Sequence, residues 1–370
     1  MNLLLSLTEK CNLRCSYCYY KSSQVNRELE MSDEILEKSI KLALERTIKL
    51  KHEFFNITFF GGEPLLRVDA ICKGVEFAKM MVESERAKLP KNFEMHFAVN
   101  TNGTLFSNDL LDFFQKEKFQ IYLSLDGPEK KHDISRVKIN GKGCFKDIAP
   151  YIPRLVDMDA TVLSVVTRKH VRGLADSVKW VFEQGFRGMS TAVDYDGKWT
   201  GEDLDALALE YQKMAMFWFD FRNAGKDFYL GTIQDKITYD VLNTRQKEQS
   251  CSISKGGFGV AANGNVFPCS RFVTSAPDAK YVLGNVLENG LEMFSGPVAK
   301  DICHFLENDK PECKNCAIKY RCSAHECGCT SFYTTGSIYG VSPEVCTHER
   351  ILTAICDEVL EKRRSQGYFF

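Results

Sequence analysis

Three cysteines near the start of the chain have the spacing of a metal site. Cys11, Cys15 and Cys18 form a CxxxCxxC pattern directly after a predicted β-strand. A helical stripe of buried thiols would give the same spacing. Zinc is a second alternative, but structural zinc prefers four ligands and the sequence offers no fourth nearby. Three thiolates suit a 4Fe–4S cluster that keeps one iron open, because iron–sulfur clusters favour soft thiolate ligands. An open iron is a place where a second molecule can bind.

A larger group of cysteines lies in the last third of the chain. Of the 15 cysteines, three lie within residues 11–18, two between 19 and 250, and ten from 251 onward. Such clustering is typical of metal sites, whereas thiols that only fill a core would be scattered. The ligand candidates of this group are Cys251, Cys269, Cys313, Cys316, Cys322, Cys327, Cys329 and Cys346. The cysteines that we expect to be ordinary thiols are Cys72, Cys144, Cys303 and Cys356.

The composition limits the classes of protein to which the chain can belong. It has 370 residues, 48 basic against 49 acidic side chains, and a formal net charge of −1. This balance gives no support to nucleic-acid binding. No apolar run approaches the roughly 18–20 residues of a membrane-spanning helix, and the opening apolar stretch is too short for an export signal. We therefore expect a cytoplasmic protein, in which thiols serve as metal ligands rather than in disulfides.

Alternating strands and helices must position these cysteines. The predicted strands are 2–8, 55–60, 93–100, 120–125, 160–167 and 188–193. The predicted helices between them are 32–50, 69–87, 107–116, 145–157 and 171–184. Strands separated by helices predict right-handed crossovers and a parallel sheet. The fold class that we expect is α/β, a partial (β/α)6 TIM-like barrel whose active site lies at the C-terminal ends of the strands.

The chain changes character after the last predicted barrel strand. Helices are predicted over 201–222 and 234–242, and a hairpin over 258–261 and 265–268 is indicated by Asn263-Gly264. Residues 295–343 are predicted to be loop-like and to need cross-links or metals, and a final helix is predicted over 343–364. The predicted domains are a barrel domain (1–230), a cysteine-rich domain (231–346) and a C-terminal helix (347–370).

The sequence resembles the radical S-adenosylmethionine (SAM) enzymes at four places. The segment from Cys11 to Cys18 is similar to the family's CxxxCxΦC signature, with Tyr17 as the aromatic residue before the last cysteine. Three further motifs follow the second, third and fourth predicted strands, and they are Gly61-Gly62-Glu63-Pro64, Asn100-Thr101-Asn102-Gly103 and Ser124-Leu125-Asp126-Gly127-Pro128. Each short motif is weak alone, and GGEP can simply be a turn that opens a helix. Their shared order and position carry the resemblance, which covers nearly the whole chain.

The resemblance implies that the open iron chelates SAM, whose reductive cleavage gives a 5′-deoxyadenosyl radical that abstracts hydrogen. It also implies roles for eight residues. Gly61 and Gly62 let the backbone approach the methionine part, since they lack a Cβ, and Glu63 accepts from its ammonium group. Arg136 pairs with the carboxylate, with a solvated surface arginine as the alternative. The other implied contacts are Tyr17 beside the adenine, Ser124 and Asp126 at the ribose, and Asn102.

The C-terminal cysteines resemble the SPASM extension of these enzymes, a cysteine-rich domain that holds two auxiliary 4Fe–4S clusters. The family pattern is a Cys–Gly–Cys hairpin, a Cx2Cx5Cx3C run and a final cysteine. Here the fourth cysteine of that run follows after four residues (Cys327) or six (Cys329), so either can be the ligand. The implied ligands of the outer cluster are Cys313, Cys316, Cys322 and Cys346. The implied ligands of the inner cluster are Cys251, Cys269 and Cys327 or Cys329, its fourth site being filled by the other cysteine or left open.

The resemblance implies a radical enzyme with three 4Fe–4S clusters and SAM, which forms a thioether or carbon–carbon cross-link in a peptide or protein, or oxidises a residue. The enzymatic alternatives are an anaerobic sulfatase-maturating enzyme that makes formylglycine and a small-molecule radical dehydrogenase. The non-enzymatic alternative is a scaffold that holds either Fe–S clusters or zinc, the latter in zinc knuckles. The expected partners are a cysteine-containing peptide and a low-potential electron donor such as flavodoxin or ferredoxin, without nucleic acid or membrane. Because the cluster motif begins at residue 11, we expect no N-terminal leader-recognition domain, and a separate protein would supply that function.

The residue after Cys269 argues against sulfatase maturation. In the sulfatase maturases that the chain resembles, an aspartate directly follows this cysteine and is placed to take a proton from the target residue. Here Cys269 is followed by Ser270 and Arg271. A serine hydroxyl is too weakly basic for a general base near neutral pH, and arginine stays charged. A carboxylate from another loop is the remaining source of a base. We therefore expect a maturase that cross-links or oxidises a cysteine-containing peptide.

Overall fold

The structure is a computed structural model that describes residues 1–18, 28–241 and 256–367. These residues form two compact units, each assembled from separate stretches of the chain. Unit 1 draws on Met1–Asn12, Cys18–Ile121 and Glu248–Glu307, and unit 2 draws on Leu13–Tyr17, Tyr122–Lys247 and Asn308–Phe370. The domain boundaries at residues 230 and 346 stay predictions.

Unit 1 is built on a sheet whose first three strands are parallel. Its strands are β1 (Asn2–Ser6), β2 (Phe54–Phe60), β3 (Glu94–Thr101), β8 (Phe258–Val260), β9 (Asn265–Phe267) and β10 (Gly284–Asn285). Their order is β10-β9-β8-β1-β2-β3. Strand β8 lies parallel to β1, while β9 and β10 continue antiparallel. The predicted Asn-Gly hairpin, formed by β8 and β9, therefore packs directly beside the strand that leads into the first cysteine motif.

Two of the helices of unit 1 begin at serine N-caps. They are α1 (Asp33–Lys49), α2 (Val68–Ser84), α3 (Asn108–Lys116) and α10 (Pro297–Glu307). Ser32 Oγ accepts from the amide of Ile35 at 3.2 Å, and Ser107 Oγ accepts from the amide of Leu110 at 3.2 Å. These bonds satisfy amides that a helix start leaves unpaired. The core of the unit includes three stacked rings 5.6–6.5 Å apart, those of Phe59, Phe97 and Phe119.

Unit 2 carries a second parallel set of strands. Its strands, in sheet order, are β4 (Gln120–Ser124), β5 (Thr161–Val166), β6 (Gly188–Val193) and β7 (Tyr229–Leu230). Its helices are α4 (Glu129–Ser135), α5 (Phe145–Ile148), α6 (Ile152–Asp157), α7 (Leu174–Glu183), α8 (Gly201–Asn223), α9 (Gly231–Val241), α11 (Ser323–Glu326), α12 (Gly328–Thr335) and α13 (Pro343–Ser365). Every described strand pair of this unit is parallel, as alternation of strands and helices predicts.

The six predicted barrel strands are confirmed to within two residues at each end. One helix was missing from the prediction, and one expectation is wrong. Helix α4 was not predicted, because its seven residues follow a Gly-Pro turn and offer no full apolar period. Residues 295–343 are not loop-like, since α10, α11 and α12 lie within them. Helix α10 buries Ile302, Phe305 and Leu306, an i, i+3, i+4 pattern that was available in the sequence. Among the described residues, no helix is long and apolar enough to cross a membrane.

Candidate functional site

The loop after β1 carries Cys11 and is held by the end of β3. Asn102 Nδ2 lies 3.9 Å from Cys11 Sγ and donates to Asn12 Oδ1 at 2.9 Å. Asn12 Nδ2 in turn donates to Thr104 Oγ1 at 2.8 Å. The first and third sequence motifs therefore meet in unit 1. Asn102 thus contacts the cysteine that is predicted to bind the cluster, and its predicted contact with SAM stays a prediction.

The two glycines after β2 allow this loop to pass close to the strand end. A Cβ at Gly61 would lie 2.3 Å from the carbonyl oxygen of Thr8, and one at Gly62 would lie 2.2 Å from that of Lys10. Gly62 N also donates to Thr8 O at 2.7 Å. Gly61 has a φ of 139°, which only glycine adopts readily. The protein's own cysteine loop thus requires both glycines, and their approach to the methionine part of SAM stays a prediction.

Glu63 is buried and joins the ends of β2 and β3. Its Oε1 accepts from Thr101 Oγ1 at 2.6 Å and from the amide of Leu65 at 3.1 Å. Its Oε2 accepts from the amide of Asn102 at 2.8 Å. Each carboxylate oxygen of Glu63 therefore accepts a hydrogen bond from the segment that carries Asn102. The predicted contact between Glu63 and an ammonium group stays a prediction, and it would have to share these acceptors.

Glu9, a residue that the sequence did not single out, lies two positions before Cys11. It is 2% exposed, and its Oε1 accepts from the amide of Ser275 at 2.7 Å. Burial raises the pKa of the Glu9 carboxyl, and Ser275 acts against that rise. The contact ties the cysteine loop to the segment that follows the β8–β9 hairpin. No local sequence pattern signals this contact, because 266 positions separate the two residues.

In unit 2, Tyr17, Asp126 and Arg136 form a buried cluster. Arg136 Nε and Nη2 donate to the two carboxylate oxygens of Asp126 at 2.9 and 3.2 Å. The hydroxyl of Tyr17 donates to Asp126 Oδ2 at 3.1 Å, and the guanidinium lies 5.3 Å from the centre of the Tyr17 ring. Burial alone would raise the pKa of Asp126, but the charge of Arg136 outweighs it and holds that pKa below its usual value.

These contacts bear on three predicted SAM-binding residues. Arg136 is 5% exposed, so the alternative of a solvated surface arginine is wrong. It pairs with Asp126, and Asp126 also accepts from the amide of Val165 at 3.1 Å. The predicted pairing of Arg136 with a SAM carboxylate, and the roles of Tyr17 and Asp126 at the adenosine, stay predictions. Ser124, also predicted at the ribose, is the last residue of β4 and is half-buried.

A ring of hydrogen bonds through His132 and Cys144 connects the backbone of Asp126 to the backbone of Arg136. The amide of Asp126 donates to His132 Nδ1 at 3.3 Å, and His132 Nε2 lies 3.2 Å from Cys144 Sγ. Cys144 Sγ lies 3.4 Å from the carbonyl oxygen of Arg136. Because Nδ1 accepts a hydrogen bond, a neutral His132 carries its proton on Nε2 and donates it to Cys144 Sγ. The thiol of Cys144 in turn donates to the backbone carbonyl of Arg136. Burial lowers the pKa of His132 to about 4 and raises that of Cys144 to about 12.

His132, Cys144 and Asp133 also bring one ligand atom each within 4.8 Å of one another, the one such group of described residues. Asp133 Oδ1, however, accepts from the amides of Cys144 and Phe145 at 2.9 and 3.0 Å. Hydrogen bonds account for each of the three side chains, so we assign the group to support of Arg136 rather than to a metal. Cys144, predicted to be an ordinary thiol, is part of this support.

The implied ligands of the outer cluster lie on short elements of unit 2. Cys313 and Cys322 are buried, and Cys316 and Cys346 are half-buried. Cys313 ends a 3₁₀ turn, Cys322 precedes α11, and Cys346 lies in the first turn of α13. The amide of Cys316 donates to the carbonyl of Cys313 at 3.0 Å, which fixes the CxxC turn.

A buried ion pair links the segments that carry Cys322 and Cys346. Glu349 lies one turn after Cys346 and is 2% exposed. Its Oε2 accepts from Lys236 Nζ at 2.5 Å and from the amide of Ser323 at 3.0 Å, and its Oε1 accepts from Ser323 Oγ at 2.8 Å. Burial would raise the pKa of Glu349, but His348 and Lys236 hold it well below its usual value. Sequence reasoning missed Lys236 and Glu349, which lie 113 positions apart.

The implied ligands of the inner cluster are less fully described. Cys251 lies outside the described residues. Cys269 is half-buried in unit 1, two residues after the end of β9. In unit 2, Cys327 Sγ accepts from Thr330 Oγ1 at 3.2 Å at the start of α12, whereas Cys329 is 2% exposed. The choice between Cys327 and Cys329 stays open.

The described cysteines fit iron–sulfur ligation in their chemistry. None of the 14 forms a disulfide. Cys11 and Cys18 belong to unit 1 and Cys15 to unit 2, and all three are half-buried. The amides of Arg14 and Ser16, on either side of Cys15, donate to the carbonyls of Val137 and Ser135 at 2.7 and 2.8 Å. Such backbone bonds orient a ligand loop before any metal binds.

Two family models match the sequence. The model of the Radical SAM superfamily matches residues 5–168, and the SPASM model, described as an iron-sulfur cluster-binding domain, matches residues 251–317. A cysteine-type anaerobic sulfatase-maturating enzyme of Clostridium perfringens is 27% identical over 330 residues, which is 85% of each chain. A serine-type anaerobic sulfatase-maturating enzyme of Bacteroides thetaiotaomicron is 27% identical over 353 residues, covering 88% of this chain and 81% of its own.

The fold is also similar to solved structures. Native anSMEcpe with bound AdoMet superposes with a TM-score of 0.79 at 21% identity, covering 98% of this chain and 99% of the other. Streptococcus suis SuiB superposes with a TM-score of 0.60 at 16% identity, covering 93% of this chain and 76% of the other. These matches confirm the predicted fold class, an α/β partial barrel with a C-terminal SPASM domain.

Proposed function

Because the chain belongs to the radical SAM superfamily and carries an iron–sulfur SPASM domain, we propose that it modifies a peptide or protein substrate. Its cofactors are 4Fe–4S clusters and S-adenosylmethionine. The observation that carries the proposal is the match over 85% of the chain to an enzyme named for maturing sulfatases, which are themselves proteins. A relative of the same fold, native anSMEcpe, has been solved with AdoMet and the Kp18Cys peptide, with a TM-score of 0.77.

We assign the SAM-binding cluster to Cys11, Cys15 and Cys18. When bound, this cluster and SAM supply the 5′-deoxyadenosyl radical that abstracts hydrogen from the substrate. The contribution of the chain is to hold the ligand loop in place. Asn102 holds Cys11, and Glu63 holds Asn102 through its amide. Outer contacts of this kind orient metal ligands before the metal binds, so we expect both residues to affect cluster binding.

We propose that the role of Arg136 is to hold the Asp126 carboxylate in place beside Tyr17. Both oxygens of Asp126 are occupied by Arg136, and the ring of hydrogen bonds through His132 and Cys144 fixes the backbone of the pair. A carboxylate in this environment stays ionised at neutral pH, because its pKa is held below the usual value. It thus holds the Arg136 guanidinium and the Tyr17 hydroxyl in fixed positions.

We assign the outer auxiliary cluster to Cys313, Cys316, Cys322 and Cys346, and the inner one to Cys251, Cys269 and Cys327 or Cys329. The Lys236–Glu349 pair supports the outer assignment, since it fixes the Cys322 segment to α13, which carries Cys346. Three 4Fe–4S clusters are therefore the expected content of the chain.

Two reactions compete within this proposal. The first is cross-linking or oxidation of a cysteine-containing peptide, favoured by Ser270, which opens a 3₁₀ turn (Ser270–Phe272) without a carboxylate. The second is formylglycine formation, favoured by the similarity to sulfatase-maturating enzymes. Incubation with a sulfatase-motif peptide in cysteine and serine versions, followed by hydrazide capture of aldehyde, separates them. Efficient aldehyde formation on either peptide supports sulfatase maturation and overturns the first reaction.

The radical assignment itself is tested by the release of 5′-deoxyadenosine under anaerobic conditions. We expect release that depends on SAM and on a low-potential reductant such as dithionite, and no release from the Cys15→Ala variant. Cys72→Ala, a substitution of the half-buried thiol on α2, is the matched control and is expected to retain release. Turnover in air without a reductant would overturn the proposal.

A further inference from the structure

A short hairpin of unit 2 carries the most exposed large apolar side chain among the described residues. This side chain is Ile139, with 65% of its surface exposed. In the hairpin, residues 137–143, the amide of Lys138 donates to the carbonyl of Lys142 at 2.8 Å. The amide of Gly141 donates to the carbonyl of Lys138 at 2.9 Å, and Gly141 has a φ of 80°, as hairpin turns often require. The turn therefore presents Ile139 to solvent.

The hairpin is hydrogen-bonded to the loop that carries Cys15. Leu13 and Lys138 form an antiparallel bridge. The amide of Arg14, the residue directly before Cys15, donates to the carbonyl of Val137 at 2.7 Å. Along the chain, only Arg14 separates this bond from Cys15. The hairpin is therefore an exposed neighbour of a cysteine that we assign to the SAM-binding cluster.

The hairpin also lies in a basic stretch of a chain that is close to neutral as a whole. Residues 129–147 contain six basic and three acidic side chains, whereas the formal net charge of the chain is −1. Lys138 pairs with Asp147 at 2.6 Å. Lys142, in contrast, is exposed and has no ion-pair partner among the described residues. Its charge is therefore available to a partner molecule.

The proposed function requires a partner that fits such a surface. Reductive cleavage of SAM consumes one electron, which must come from outside the chain. Electron tunnelling slows steeply with distance, so a protein that carries this electron must dock close to the cysteine loop. Brief electron-transfer complexes have small interfaces, and complementary charge supplies much of their association rate. Because the whole chain has little net charge, the attraction of an acidic carrier has to come from a local basic surface.

We propose that residues 137–143 form the docking surface for an acidic, low-potential electron-carrier protein that reduces the SAM-binding cluster. The proposal deepens, and rests on, the assignment of that cluster to the three cysteines of the loop after β1. In each encounter the carrier is oxidised by one electron and the cluster is reduced by one, and no bond of the chain forms or breaks. Lys142 attracts carboxylates of the carrier, and Ile139 adds an apolar contact at the centre of a small interface.

The test uses the full chain reconstituted with iron, and purified flavodoxin as the carrier. Lys142→Glu reverses the charge of the hairpin, and Ile139→Ser removes its apolar side chain. The matched controls are Lys226→Glu, at an exposed position between α8 and β7, and Leu209→Ser, at a position of α8 that is 59% exposed. Release of 5′-deoxyadenosine is measured with increasing reduced flavodoxin and, separately, with dithionite, a small reductant that needs no docking surface.

We expect the two hairpin variants to be impaired only with flavodoxin. At low salt, Lys142→Glu should raise the KM for flavodoxin about tenfold, because steering by charge governs the encounter. Ile139→Ser should raise this KM as well, and both controls should keep the value of the wild type. Release with dithionite should be the same in all five proteins. Added salt should weaken the wild type and narrow its difference from Lys142→Glu, since salt screens exposed charges.

Cross-linking measures docking without turnover. A carbodiimide joins a lysine amine to a carboxylate only where the two are in contact, and mass spectrometry identifies the joined residues. With oxidised flavodoxin we expect Lys142 of the wild type to be joined to a flavodoxin carboxylate. This product should decrease at high salt and in the Ile139→Ser variant, but not in Leu209→Ser.

The outcomes distinguish this inference from the proposed function. Equal KM values for flavodoxin in the wild type and both hairpin variants would overturn the docking surface, as would cross-links at other lysines alone. An equal rise of KM in Lys142→Glu and Lys226→Glu would show an effect of net charge and would overturn it too, as would a wild type that responds to dithionite but not to flavodoxin. A wild type that releases no 5′-deoxyadenosine with dithionite would instead overturn the radical function on which the inference rests.

Discussion

The two cysteine-bearing regions, the loop after β1 in unit 1 and residues 310–346 in unit 2, are held in place by different interactions. Around Cys11 the buried contacts are close backbone approaches at Gly61 and Gly62 and a neutral amide from Asn102. The ion pairs of Lys10 with Glu28 and Glu30 lie at the surface. Around residues 310–346 the contacts are charged. Lys319 pairs with Asp309 and Arg321 pairs with Asp357. Lys236 pairs with Glu349, which also accepts from the amide of Ser323.

The difference follows from what each region has to stabilise. The loop after β1 packs against strand ends whose backbone is already fixed by the sheet. Close approach at Gly61 and Gly62 and a hydrogen bond from Asn102 are therefore enough to position it. Residues 310–346 contain only short helices and turns, which cannot form a large apolar core. Charged side chains from distant positions hold such segments together. We expect the first region to be sensitive to added volume and the second to lost charge.

The largest effect is expected where the metal itself is removed. Replacing Cys11, Cys15 and Cys18 together by alanine should remove about a third of roughly twelve irons and all SAM cleavage, because one of three clusters loses its ligands. Iron analysis and 5′-deoxyadenosine release measure both. Cys72→Ala should retain the iron. A purified wild-type chain holding stoichiometric zinc and little reconstitutable iron would contradict the cluster assignment for both regions.

The second region should respond strongly to loss of its buried ion pair. Glu349→Gln leaves the buried Lys236 ammonium without its carboxylate, and breaking a buried pair in this way costs about 3–5 kcal/mol. Urea unfolding of the iron-free chain at pH 7.5 measures the loss. Glu358→Gln, at an exposed position of the same helix α13, is the matched control and should change stability by less than about 0.5 kcal/mol. If Glu349→Gln and Glu358→Gln lower the stability equally, the second region does not depend on its buried charge, and the contrast between the two regions is wrong.

The loop after β1 should respond to volume. Gly62→Ala introduces a Cβ that would lie 2.2 Å from the Lys10 carbonyl, so the loop must shift. Overpacking of this kind costs about 1–3 kcal/mol, and we expect weaker iron binding at the SAM cluster. Gly201→Ala is the control, because a Cβ there meets nothing within 4 Å. If both variants unfold at the same urea concentration, the close approach at Gly62 does not hold this loop.

The sequence predicted these two regions unequally, for a physical reason. The barrel strands, the N-caps at Ser32 and Ser107, and the order of the four motifs follow from local patterns that a single sequence displays. The Lys236–Glu349 pair and the burial of Lys310 have no such pattern, since tertiary packing alone brings their partners together. The same holds within a predicted motif. Asp126 was predicted to contact the ribose of SAM. Its pairing with Arg136 could not be predicted, because the helix between the two residues, α4, has no clear sequence signal.

The last expected effect appears only when the pH is lowered, and it concerns His132, which lies outside both regions. His132 responds to pH in a different range from the carboxylates. Burial lowers its pKa from 6.5 to about 4, so between these values the unfolded chain binds a proton that the folded chain does not. Stability then rises with pH across this window, and His132 alone should cost about 2 kcal/mol between pH 8 and pH 5. Glu349 acts in a lower range, because its depressed pKa withdraws stability only as pH falls below the ordinary carboxylate value. Urea unfolding of the iron-free wild type and of His132→Gln at pH 8 and pH 5 measures the difference. An equal loss of stability in both proteins would show that folding does not lower the pKa of His132, and that the hydrogen-bond ring through Cys144 is not as assigned.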